Sequence, residues 1–139
     1  MNLEVRLIGP KCMSAMFPRV QGYIAKGLQD TDDCTADDAK EYLERGDWQL
    51  FAVFNEENEI KGAYVTTINE APTGKIAIII SAAGGGLASQ EVFAQLCEVF
   101  KGLGATRVRA LAKESAARLY KRVGFIEKAI LVERKLWAE

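Results

Sequence analysis

The chain of 139 residues contains no histidine. That absence removes Ser-His-Asp and Cys-His nucleophilic machinery and every metal site built on imidazole. Any proton transfer then falls to carboxylates, tyrosine, lysine, cysteine or water. Cysteine is sparse and odd in number, at Cys12, Cys34 and Cys97, which suggests neither a disulfide framework nor a zinc site. No apolar run approaches the roughly 18–20 residues of a membrane span. The first residues, Met-Asn-Leu-Glu-Val-Arg-Leu-Ile, lack the order of charge, apolar core and cleavage site of a signal peptide. A net charge of −1 argues against a protein that coats nucleic acid. Repeats, low-complexity segments and linkers are missing too. The expectation is one cytoplasmic domain over residues 1–139, with neither membrane nor nucleic-acid partners.

What remains is ordinary globular material, 49% apolar and 27% charged, long enough to bury a sizeable core. Its organising stretch is 75–86, Lys-Ile-Ala-Ile-Ile-Ile-Ser-Ala-Ala-Gly-Gly-Gly. The aliphatic run from Ile76 to Ile80, closing on Ser81, reads as a strand buried on both faces. The three glycines permit a sharp turn and let a ligand approach bare backbone. Residues 87–102 then place Phe93, Leu96, Cys97 and Phe100 at helical spacing. Strand, glycine turn and helix N-terminus together suit an anion, because unpaired N–H groups and the helix dipole converge there. A plain tight connection between core elements fits the same residues.

In chain order, residues 3–8 read as a strand ending at Gly9-Pro10. Residues 11–28 carry the stripe Met13, Met16, Phe17, Val20, Ile24 and Leu28, an amphipathic helix that Pro18 should kink or start. Thr35 and Asp38 resemble a capping box opening a short helix through Ala39, Tyr42 and Leu43, which Gly46 closes. Strands follow at 48–54, 60–68 and 76–81. Connections so short require an antiparallel meander. A dinucleotide fold is thereby excluded, since it needs a βαβ unit and a different glycine spacing. After the helix comes a strand at 106–112, parallel to the organising strand through a right-handed crossover. It has Val108, Ala110 and Ala112 on one face. A helix at 114–123 buries Ala116, Leu119, Tyr120 and Val123, and Gly124 stops it. A last strand at 125–137 turns Ile126, Ile130 and Val132 inward.

This order, β–α–α–β–β–β–α–β–α–β, resembles the GNAT (Gcn5-related N-acetyltransferase) family over nearly the whole chain. Glu59-Ile60-Lys61-Gly62 resembles the start of the family's third strand. Gly84 and Gly86 resemble its (Gln/Arg)-x-x-Gly-x-(Gly/Ala) turn. Residues 116–125, Ala-Ala-Arg-Leu-Tyr-Lys-Arg-Val-Gly-Phe, resemble its Ala-x-x-Leu-Tyr-x-x-x-Gly-Phe. Ser81 stands where the family has Gln or Arg, and Lys113 where it often has Asn. The chain after Gly-Phe is also shorter than the family's hairpin. The resemblance implies an α/β (α+β) fold: a mixed, mostly antiparallel sheet with helices on both faces and parallel strands splaying at a cofactor cleft. It also implies acetyl transfer from acetyl-CoA, without metal, to a primary amine of a small molecule or peptide by direct attack. The competing expectation is a non-catalytic relative that acts through acyl-CoA or protein contacts.

On the resemblance, the cofactor contacts are Ile80, Ser81, Gly84, Gly85, Gly86, Leu87, Ala88, Lys113, Ala116 and Tyr120. Tyr120 is then the general acid for the departing thiolate. The N–H groups of residues 84–88 would meet the diphosphate with no acidic side chain nearby. The base is open between Glu70, before the organising strand, and Glu114, at the start of the last helix; each is also readable as a solvated residue. Cys97 lies on an apolar face and reads as core.

Charge divides along the chain. Asp30, Asp32, Asp33, Asp37, Asp38, Glu41, Glu44 and Asp47 crowd the first half, while Arg107, Arg109, Lys113, Arg118, Lys121 and Arg122 crowd the second. The basic block suits an anionic cofactor and the acidic block a cationic amine, although two solvated helix faces account for the same pattern. A single C-terminal strand would leave a sheet edge for a second copy to cover, so a homodimer is expected.

Overall fold

The computed structural model describes residues 2–29, 33–87 and 89–137. Five strands form one sheet in sequence order: β1 (Glu4–Ile8), β2 (Gln49–Phe54), β3 (Ile60–Ala71), β4 (Gly74–Gly84) and β5 (Ala105–Ala110). The first four pair antiparallel, and β5 runs parallel to β4. Both pairings follow from connection length: β3 and β4 meet in a hairpin, whereas a helix separates β4 from β5.

The period-2 alternation of β2 sends its residues to two cores. Leu50, Ala52 and Phe54 face α1 (Met13–Gly27) and α2 (Ala36–Arg45). Phe51 and Val53 face Val92, Phe93, Leu96 and Phe100 of α3 (Gln90–Gly102). On α1 the buried residues are Met13, Phe17, Val20 and Ile24, three or four apart, which is the expected stripe. Pro18 neither starts nor ends this helix; it sits inside it, and the lost donor costs one bond, that to the Ser14 carbonyl. Gly27 allows the last turn of α1 to press on β4, since a Cβ there would run onto the Ser81 hydroxyl.

Local signals set α2. Thr35 accepts from the Asp38 N–H while the Asp38 carboxylate accepts from the Thr35 N–H, a complete capping box. Gly46 ends the helix at φ +81°, where a side chain would be strained.

Several elements differ from expectation. The helix expected from residue 87 begins at Gln90, because Ser89 takes the N-cap position and accepts from the Val92 N–H. The β5 strand ends at Ala110, leaving Ala112 exposed outside it. On α4 (Glu114–Arg122) no residue is fully buried, and Leu119 is exposed. The final strand does not form: residues 125–137 lie in no helix or strand, and Ile126, Ile130 and Val132 face solvent. Its Ile-Leu-Val run has the propensity, but a strand exists only with a ladder partner, and this run pairs with no described strand. Among the described residues no helix is long and apolar enough to cross a membrane.

Candidate active site

At the end of β4 the chain turns through Gly84 (φ +122°) and Gly86 (φ +82°). Gly84 pairs with Gly62 of β3, and a Cβ on Gly84 would run onto the Gly62 Cα and the Lys61 carbonyl. A Cβ on Gly62 would in turn stand 2.8 Å from the Ala83 carbonyl. Two glycines thus let the strands touch where the turn leaves the sheet. Gly85 differs from both, for nothing lies within 4 Å of its Cβ position and it presents an open face. Its N–H is not free for a ligand, because it donates to the Lys61 carbonyl at 3.0 Å. Donors without an intrahelical partner remain in the first turn of α3, at Gln90 and Glu91, which precede the capped Val92. Glu91 also brings a carboxylate into that first turn, contrary to the expected absence of acidic side chains.

The turn is anchored from beneath. Tyr64 of β3 donates its hydroxyl to the Leu87 carbonyl at 2.8 Å. Burial drives the Tyr64 phenol far above its ordinary pKa, and the neighbouring Tyr120 and Cys97 push the same way. Tyr120 therefore stands beside the residue that holds the turn. Its ring packs on Phe125 with centroids 4.8 Å apart, and its phenol is also pushed up by burial. Among the described residues none accepts a hydrogen bond from, or donates one to, the Tyr120 hydroxyl. Cys97 packs half-buried in this cluster, its thiol raised by burial. Gln90 reaches across to the Arg122 carbonyl at 3.2 Å and ties the start of α3 to the end of α4.

The sheet opens beside this cluster. The last β4–β5 pair is Ile79 with Ala110, yet β4 continues to Gly84. Ile80, the first residue beyond that pair, lines a groove of about 530 Å³ on the α2 side. Its other walls include Asp33, Asp38, Glu41, Cys34 and the stacked rings of Tyr42 and Trp48, 4.4 Å apart. The Cys34 thiol is pushed up first by burial and then by the charges of Asp38 and Asp33. Those carboxylates give the groove a negative potential, moderated by Arg45, which lies over Tyr42 and pairs with Asp47 at 3.0 Å.

The residues singled out in the sequence fall into three groups. Gly84, Gly85, Gly86, Leu87 and Tyr120 come together, with Ile80 at the adjoining opening. Ser81 points elsewhere: it is 3% exposed, and its hydroxyl donates to the Ile24 carbonyl under α1 at 3.3 Å, leaving no side-chain contact for a phosphate. Glu70 is not brought near the turn. It pairs with Lys75 at the hairpin end, eight residues along β3 from the Gly62–Gly84 pair, or roughly 26 Å at about 3.3 Å per residue. Arg107 is likewise held at that far end, donating to Thr73 at 2.7 Å. Glu114 opens α4 after its N-cap Lys113, both exposed, and Ala116 lies half-buried one turn on. Ala88, Asp30 and Asp32 lie outside the described residues.

Sequence reasoning missed Tyr64 and the Tyr42–Trp48 stack. A tyrosine amid an apolar strand is a signal, since a buried phenol needs a partner, but nothing local names Leu87 as that partner.

No family model matches the sequence, and no curated protein does. Solved structures do match. An aminoglycoside acetyltransferase from an uncultured soil metagenomic sample, in complex with sisomicin, is 11% identical with a TM-score of 0.72, over 99% of this chain and 97% of that one. A predicted acetyltransferase from Clostridium acetobutylicum with acetyl-CoA is 14% identical with a TM-score of 0.68, over 97% of each chain. Glucosamine-6-phosphate N-acetyltransferase from Arabidopsis thaliana is 16% identical with a TM-score of 0.63, over 98% and 99%. These likenesses, at full coverage and low identity, show that the chain carries a GNAT-like fold.

Proposed function

We propose that the protein transfers an acetyl group from acetyl-CoA to a primary amine of a small cationic acceptor. The observation that carries this reading is the opening of β4 from β5 after Ile79 and Ala110, with Tyr120 and the glycine turn on one side and the acidic groove on the other. The open face at Gly85 and the α3 N-terminus fit a diphosphate held by backbone rather than by side chains. Acetyl-CoA, when bound, supplies the activated thioester. Tyr120 keeps its proton at neutral pH and gives it up at the phenol oxygen. Asp38 and Glu41 attract and orient a cationic acceptor, while Tyr42 and Trp48 offer a flat apolar wall. Glu114 is the remaining candidate base. The sisomicin complex of a protein with this fold supports an amine acceptor of this type.

The test is acetyl-CoA-dependent release of free thiol with a panel of amines, from sisomicin and simple diamines to neutral amines. Turnover with the cationic members is expected. Binding of acetyl-CoA without turnover on any amine would instead favour the non-catalytic reading. Replacing Glu41 with glutamine should raise KM for the cationic acceptor by about threefold to tenfold at low salt, leaving KM for acetyl-CoA unchanged. The difference should shrink near 0.15 M salt, where the screening length is about 8 Å. A KM indifferent to both the substitution and salt would remove the groove from acceptor binding.

A further inference from the structure

A second groove, of about 350 Å³, runs along the outer edge of β1 beside the start of α1, at the lower end of the size range of small-molecule sites. Its floor is the Phe54 ring, 5% exposed, with Ile8 and Met16 packed into the same core. The α3 core lies on the other face of the sheet, and β2 and β3 separate β1 from β4, a distance of about 14 Å across the strands. Two guanidinium groups share the ring: that of Arg6 stands 4.3 Å from the Phe54 centroid and that of Arg19 stands 6.0 Å from it. No carboxylate lines the groove beside them. Arg6 is partly answered, since its Nε pairs with Glu4 at 2.7 Å and its Nη2 donates to Asn58 Oδ1 at 3.2 Å. Arg19 is not. Among the described residues it pairs with no carboxylate, and it donates only to the Met16 sulfur at 3.7 Å, a weak acceptor.

We propose that this groove binds a small organic oxyanion, a carboxylate or phosphate ester on a compact apolar body, through Arg19, Arg6 and Asn58. The guanidinium fork matches both oxyanions, and a cation held against an aromatic ring keeps its charge while its freedom is reduced. The neighbouring donors are set in place. Asn58 takes φ +61° in a loop fixed by the Asn55 side chain, which accepts from the N–H groups of Glu57 and Glu59 at 3.0 Å and 2.9 Å. Asn58 accepts from Arg6 through its carbonyl oxygen, so its amide nitrogen remains a donor. The Val5 N–H turns outward to Gln95 at 2.8 Å, and Leu7, two residues along β1, turns its N–H the same way at the groove. Leu7, 44% exposed, supplies with Ile8 and Met16 the surface that an apolar body would cover. Charge thus sorts ligands between the two grooves: the carboxylates near Tyr42 and Trp48 favour a cation, and the paired arginines here favour an anion. The inference does not rest on acetyl transfer.

The test is a titration of the full chain with benzoate and with phenyl phosphate, followed by NMR at the Met16 methyl, the Asn58 side-chain amide and the Leu7 N–H. Acetate, inorganic phosphate and neutral benzamide serve as comparisons. The shifts should saturate with a Kd on the order of 1 mM for the better of the two aryl anions, and the smaller anions and benzamide should bind more weakly. Arg19 is exposed and in no ion pair among the described residues, so Arg19→Gln should keep the fold while weakening the aryl anion by about tenfold or more. Arg6→Gln should weaken it as well. Gly85→Ala should leave it unchanged, which separates this groove from the glycine turn. Shifts that never saturate, or that fall on the turn at residues 84–91 instead, would overturn the proposal. So would binding that survives Arg19→Gln, or inorganic phosphate binding as tightly as phenyl phosphate.

Discussion

Replacing Tyr120 with phenylalanine is expected to lower turnover by about tenfold or more, the range for loss of a positioned proton donor, with acetyl-CoA affinity nearly unchanged. The substitution removes one oxygen and keeps the ring that packs on Phe125, so the cluster under the turn should stay intact. The sign of the pH effect follows from burial, which raises the Tyr120 pKa above its ordinary value near 10. The phenol therefore keeps its proton at neutral and mildly alkaline pH, and its contribution is lost only as pH rises through the raised pKa. The native chain should show that alkaline fall in kcat, and Tyr120→Phe should lack it. An unaltered rate in the variant would remove Tyr120 from the chemistry.

The largest structural effect is expected at Gly84. An alanine there must adopt φ +122° and drive its Cβ onto the Gly62 Cα and the Lys61 carbonyl, both backbone atoms that cannot swing aside. Strain and overpacking together should cost about 3–5 kcal/mol, enough to open the β3–β4 pairing below the turn. Gly85→Ala is the contrast. Its Cβ meets nothing within 4 Å and its φ is not positive, so stability should change by less than about 0.5 kcal/mol. The added methyl nevertheless lies on the face assigned to the diphosphate and should weaken acetyl-CoA. Urea unfolding of the two variants separates a glycine held for packing from one held for access. Equal destabilisation of the two would contradict the assignment.

How much could be read from the sequence depended on how local each signal was. The Thr35–Asp38 box and Gly46 gave both ends of α2, because caps are settled within a few residues. Short connections gave the meander, and the intervening helix gave the parallel pair. The 116–125 motif pointed to Tyr120 on α4, yet its neighbour Tyr64 lies on β3 and needed the sheet register to be found. Ser81 was read as a phosphate position by its place in a motif. Its direction is set instead by strand alternation and by the close approach of Gly27, which turn it under α1. Gly84 was read as freedom to turn, but its first role is room for Gly62 across the ladder. The 125–137 segment shows the limit most plainly: its composition is that of a strand, and composition alone cannot supply a ladder partner.

The central claim is that the turn between β4 and α3, with Tyr120 beside it, receives acetyl-CoA. Thermal unfolding of the full chain over a series of acetyl-CoA concentrations tests it most directly. A ligand that binds only the folded state should raise the midpoint progressively, by the equivalent of about 2.7 kcal/mol when it stands at 100 times its Kd. That rise should be smaller in Gly85→Ala and undiminished in Tyr120→Phe. An unmoved midpoint at millimolar acetyl-CoA would contradict the account.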